Sequence, residues 1–143
     1  MLSYTCKTAI KAIIYLSSKS ESGEKTSLKE ISTQINASEH TIGKTLQLLA
    51  KHKIINSLKG PTGGFYLTPE QQNQPILKII LVIEGDAIFK ECGLGLSKCS
   101  ELHPCPIHNE YKVIREQTEK LFREKKVKDL CDPVTHGLAF IID

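Results

Sequence analysis

The run Lys59-Gly60-Pro61-Thr62-Gly63-Gly64 constrains this chain more than any other stretch. Proline lacks the amide donor a helix needs and glycine weakens a helix interior, so the segment is a turn whose backbone amides stay exposed. On either side lie Ile54 to Ser57 and Phe65 to Thr68, both rich in β-branched or aromatic residues. Together they predict a β-hairpin with Lys59 at the start of its tip.

Two short helices precede the hairpin. Ser27 with Glu30 three residues on is a capping box, and Leu28, Ile31 and Ile35 then point inward. Asn36 and Ala37 make a tight turn, Ser38 is the next cap, and Glu39 in the first turn suits the helix dipole. The second helix carries Ile42, Leu46, Leu49 and Leu48 on its apolar side and runs to about Lys53. An earlier helix, Thr5 to Ser18, has its apolar face at Ala9, Ile10, Ile13, Ile14 and Leu16. Two short helices joined by a turn and followed by a hairpin read as a winged helix-turn-helix, mainly α with a small β-hairpin wing.

Size and charge narrow the class further. A chain of 143 residues holds one core and a projecting element, with roughly 70% of its unfolded surface buried. It is too short for a large multidomain enzyme. No apolar run approaches the ~18 residues of a membrane span, and Lys11 interrupts Ala9 to Leu16. Met1 to Ser20 lacks a secretory cleavage pattern, so a cytoplasmic location is expected. Residues 1–69 carry nine Lys against four Glu, whereas residues 70–143 carry ten basic and twelve acidic side chains. A basic first half suits a polyanion partner, and Lys-rich solvated surfaces produce the same imbalance for solubility alone.

Beyond the hairpin, Pro75 starts a helix over Ile76 to Glu84, closed by Gly85. Asp86 to Ile107 reads as a loop that gathers three of the five cysteines. From His108 to about Lys126 a long charged helix repeats Ile107, Tyr111, Ile114, Thr118 and Leu121 at spacings of four and three. Such a narrow seam on a charged helix is a dimerisation element, with Tyr111, Ile114, Thr118 and Leu121 as its contacts. The apolar tail after Leu130 is open between strand, short helix and disorder. The expected division is a DNA-binding domain over 1–85, a cysteine loop over 86–107, and the dimerisation helix with its tail over 108–143.

The second helix of a helix-turn-helix presents its solvent face to the major groove, where base edges are readable. That face is expected to hold Ser38, Glu39, His40, Thr41, Lys44 and Thr45, with Lys51 near the far end for phosphates. The tip residues Lys59, Gly60, Pro61, Thr62, Gly63 and Gly64 are placed to approach a backbone or minor groove. Gly43 costs helix propensity and is read as permitting close approach to the duplex.

The stretch TSLKEISTQINASEHTIGKTLQLLAKHKIINSLKGPTGGFYL, from Thr26 to Leu67, resembles the winged-helix module of the bacterial Rrf-two family. Ile79 to Gly85 (IILVIEG) resembles the segment after that family's wing, and Cys92 onward its sensor loop, so the likeness runs over roughly residues 2–126. The resemblance implies a homodimeric transcription regulator, not an enzyme, that binds a near-palindromic double-stranded DNA operator. The family commonly has Tyr, Glu and Gln where this chain has Thr41, Gly43 and Lys44, and often Arg where it has Lys59. These departures imply a different operator, and Lys in place of Arg exchanges bidentate recognition for a point charge.

The cysteine loop reads C-GLGLSK-C-SELHP-C-PI-H, that is Cys92, Cys99, Cys105 and His108. Thiolates and imidazole at these spacings suit a soft metal centre. The resemblance implies an iron–sulfur cluster on the three cysteines, with His108 as the fourth ligand and a redox, nitric-oxide or cluster-status signal. Other readings stay open. They are a Cys3His zinc site, although the usual short C-x2-4-C spacing is missing, a thiol–disulfide switch, or loop cysteines that bind nothing. A cluster-free regulator acting through thiols or a protein partner is the alternative function; an interaction or electron-transfer module without DNA binding is the second. His103 reads as a solvated loop residue, and Cys6 and Cys131 as ordinary buried thiols. Some relatives take an acidic ligand from the first helix, where this chain has Lys7.

Overall fold

Ser3 begins the ordered path: its hydroxyl accepts from the Cys6 amide and caps α1 (Tyr4–Ser20). The computed structural model describes residues 1–143. After α1 come α2 (Leu28–Gln34), α3 (Glu39–Lys51), β1 (Asn56–Leu58), β2 (Gly64–Tyr66) and α4 (Pro69–Gln72). Then follow α5 (Ile76–Glu84), α6 (Ala87–Lys90), α7 (His108–Glu124) and α8 (Val127–Thr135). This is the expected winged helix-turn-helix, mainly helical, with one two-stranded sheet.

α1 is the central helix, packed against α2, α3, α5 and α8. Its inward residues include Ala9 and Ala12, fully buried beside Ile13 and Leu16, and the small side chains let neighbouring helices come close. Ile31, Ile42, Leu46, Leu49, Ile76, Ile79 and Ile80 complete the centre of the core, all within 1% of full burial. Each such aliphatic side chain stabilises the fold by about 2 kcal/mol relative to exposure. Tyr15 donates to Glu30 Oε1 at 2.7 Å and ties α1 to the start of α2.

The wing is antiparallel, with Asn56 opposite Tyr66 and Leu58 opposite Gly64. Thr26 joins it as an isolated bridge, its N–H and C=O both bonded to Phe65 at 2.9 Å. That pairing anchors the hairpin to the helix-turn-helix. A second bridge, Pro75 with Lys126, sets the start of α5 beside the start of α8.

Several expectations need correction. Ser27 caps α2 by accepting from Glu30 N, but the Glu30 carboxylate goes to Tyr15, so the reciprocal half of that capping box is not made. Ser38 makes no side-chain cap bond. Leu48 is 36% exposed and leaves the core of α3, because it sits on the flank turned from α1. α6 is a short helix inside the stretch read as a loop, and Thr68 with Gln71 forms the full capping box that starts α4. Of the tail, residues up to Thr135 belong to helix α8, which packs against α1 and has Val127 and Cys131 buried, whereas residues 136–143 lie in no helix or strand; the long helix ends at Glu124.

Candidate DNA interface and cysteine loop

α3 offers solvent a line of side chains at i, i+4, i+7 and i+11: His40, Lys44, Gln47 and Lys51. Ser38 and Glu39 are exposed at its start and Thr41 is half-buried. Gln47 was missed, although the same spacing that selects Lys44 and Lys51 selects it. It lines a cleft of about 390 Å³ between α3 and the wing, together with Ser57, Leu58, Lys59, Gly64 and Phe65. Lys25, also missed, stands 5.6 Å from the Tyr66 ring at the base of the wing. Its position beside the hairpin comes from the Thr26 bridge, which local pattern does not reveal.

Two residues leave the expected reading face. Thr45 is 6% exposed and its hydroxyl donates to the Thr41 carbonyl at 2.9 Å. Gly43 is buried, and a Cβ there would lie 3.2 Å from Leu28 Cδ2. A Cβ there would meet the end of the Leu28 side chain, so this position faces α2. In the wing, Lys59, Gly60, Pro61 and Thr62 are exposed at the tip. Gly63 and Gly64 are half-buried instead; Gly63 is turned against the Leu58 carbonyl and Gly64 lies on the Thr26 backbone. Both glycines shape the hairpin.

The cysteine loop runs from α6 to the first residue of α7. Cys92, Cys105 and His108 are buried and Cys99 is half-buried. Cys99 Sγ lies 3.3 Å from His108 Nδ1. The amides of Leu94 and Leu96 point at the Cys92 sulfur and hold its thiol below the ordinary value. No three His, Cys, Asp or Glu side chains meet around one point that could hold a metal ion. His108 Nε2 is buried with no partner. A buried orphaned imidazole nitrogen, three thiols and sulfur-directed amides are the donor chemistry of an iron–sulfur cluster. Cys6 and Cys131 lie apart in the helical core; burial, with Glu84 beside it, pushes the Cys6 thiol up to about 12.

Along α7 the expected seam divides. Ile114 and Leu121 are at least half exposed, with Val113 beside them. Tyr111 and Thr118 are half-buried on the protein's own side. Tyr111 packs on the loop, where a Cβ at Gly93 would fall 2.8 Å from its ring. A groove of about 370 Å³ runs beside this helix, lined by Leu2, Ile88, Ile114 and Phe122, with Lys7 and Arg115 among its walls. No helix is long and apolar enough to cross a membrane.

A family model described as "Rrf2: Iron-dependent Transcriptional regulator" matches residues 2–133. A relative from Aquifex aeolicus (strain VF5), provisionally named an HTH-type transcriptional regulator, is 31% identical over 135 residues, covering 92% of each chain. Among solved structures, CymR, the global cysteine regulator of B. subtilis, is similar with a TM-score of 0.75 at 23% identity, over 92% of this chain and 96% of its own. T. potens IscR is similar with a TM-score of 0.74 at 17% identity, over 98% of this chain and 92% of its own. At these identities the structural likeness speaks for the fold.

Proposed function

The chain belongs to the Rrf2, or Rrf-two, family of transcriptional regulators, and from that premise we propose that it binds a near-palindromic DNA operator as a homodimer and senses through an iron–sulfur cluster. Glu39, His40 and Thr41 of α3 read base edges, while Lys44, Lys51, Lys59 and the wing tip contact phosphates. Cys92, Cys99, Cys105 and His108 hold the cluster; when bound, it supplies iron chemistry that oxidants, nitric oxide or iron shortage alter.

The observation that carries the sensor reading is the buried, unpartnered Nε2 of His108. A buried nitrogen left without a partner is costly unless a ligand takes it up. His108 is also the first residue of α7. Any change in what its ring holds therefore acts on the helix that carries Ile114 and Leu121, and so on the spacing of two recognition helices.

Purification without oxygen, followed by iron and sulfide assay, visible absorption and DNA-binding anisotropy in a salt series, tests this. Iron and sulfide bound together, with operator affinity that changes when they are removed, is the expected result. Colourless, iron-free protein that still binds its operator would sink the cluster and favour the second reading, a thiol-responsive regulator. That reading is supported by the contact of the Cys99 thiol with the His108 imidazole at 3.3 Å, a base beside a thiol.

A further inference from the structure

Arg115 has no part in the reading above, yet its surroundings are unusual for a cation. It is 9% exposed and makes no ion pair; the four pairs in the molecule belong to Lys90, Lys112, Lys120 and Arg123. A buried guanidinium without a carboxylate is unfavourable unless other acceptors take its hydrogens. One nitrogen, Nη1, donates to the Glu91 carbonyl, and Nη2 donates to Cys99 Sγ at 3.2 Å. Its Cζ stands 5.6 Å from the Tyr111 ring centroid, and Nε has no partner. Within this shell Cys99 is the group able to carry negative charge.

His108 and Arg115 are seven residues apart on α7, so they lie on the same face two turns apart. Both reach the same sulfur, at 3.3 and 3.2 Å. The loop is gripped at its middle by Arg115, through Cys99, and at its start by the Glu91 carbonyl. The Tyr111 ring lies between, against Gly93 on one side and the guanidinium on the other. Arg115 is also adjacent to Ile114 in the groove beside α7.

We infer that Arg115 is the positioning residue of the cysteine loop: it holds the Cys99 sulfur on α7 and offsets the negative charge of that sulfur when it serves as a ligand. The second half of this statement rests on the cluster reading; the first does not. A cation and hydrogen bond at a ligand sulfur favour the more reduced, more negative cluster, so their loss moves the reduction potential downward. Loss of the same link frees the loop from α7 and raises the population of open conformers that a protease can cut.

The test compares the full chain with R115K and R115M, the second keeping side-chain bulk without charge. Two readouts are taken: trypsin cleavage after Lys98 in cluster-free protein, and the midpoint potential after anaerobic loading with iron and sulfide. Circular dichroism first establishes that the variants fold. R115M is expected to be cut after Lys98 several-fold faster than the parent and, once loaded, to show a potential more negative than the parent, with R115K between them. Unchanged cleavage in folded R115M overturns the positioning role. An unchanged potential in loaded R115M overturns the charge role. Failure of the unsubstituted protein to load would instead count against the cluster reading, and the cleavage comparison would still decide whether Arg115 positions Cys99.

Discussion

Gly43 shows how much a single residue's meaning depends on its neighbours. A glycine inside a helix that faces DNA reads as room for the duplex, and periodicity along α3 does not exclude that. Instead α2 crosses at this position, with Leu28 Cδ2 3.2 Å from where a Cβ would stand. Alanine gains about 1 kcal/mol of helix propensity over glycine. Leu28 is only half-buried, so its methyl has space to yield by the few tenths of an ångström required. G43A is therefore expected to raise stability by up to about 1 kcal/mol in thermal or denaturant unfolding, with DNA affinity unchanged. A drop in operator affinity at unchanged stability would return Gly43 to the reading face. Thr45 teaches the same lesson: a short polar residue near the start of a recognition helix looks available for bases, but its hydroxyl is satisfied by the Thr41 carbonyl and its position is buried.

At the scale of elements, α3 and the wing act as one surface because Thr26 ties the hairpin to the helix pair by two backbone bonds. Lys44 and Lys51 sit on the exposed line of α3, and in the proposed complex they contact phosphates, which registers in salt dependence. K44A is expected to weaken binding to specific and random duplex alike and to lower the slope of log affinity against log salt by about 1. Equilibrium titrations at several salt concentrations measure this. A variant that keeps the parental slope while losing preference for the operator would assign Lys44 to a base edge instead. The helix pair, the hairpin and α5 were legible because their signals are local: a cap, a period, a Gly-Pro tip. α8 was not, because its burial depends on a distant surface of α1 that no window of the tail contains.

For the whole molecule the open question is what covers α7. Its outer face leaves Val113 50%, Ile114 57% and Leu121 50% exposed, and such a contiguous apolar face on a charged helix is suited to a second copy. Replacing Ile114 and Leu121 together by Glu places two unpaired charges in that contact. The double variant is expected to run as a monomer in light scattering after size exclusion, to keep its helical content, and to bind a palindromic operator no better than a half-site. A double variant that stays dimeric would move the interface elsewhere. Of the residues in the expected seam, Ile114 and Leu121 are exposed, whereas Tyr111 is half-buried beside Gly93 and Arg115 of its own chain.

The amino-acid sequence by itself determined the winged helix-turn-helix, the basic reading surface and the cysteine loop, since caps, apolar periods and turn residues act over a few positions. Tertiary structure alone decided that Gly43 and Thr45 turn inward, that α8 returns to α1, and that His108 and Arg115 both reach Cys99. Each of these is a contact between segments remote along the chain, and such contacts are set by how the helices pack, which no local pattern records.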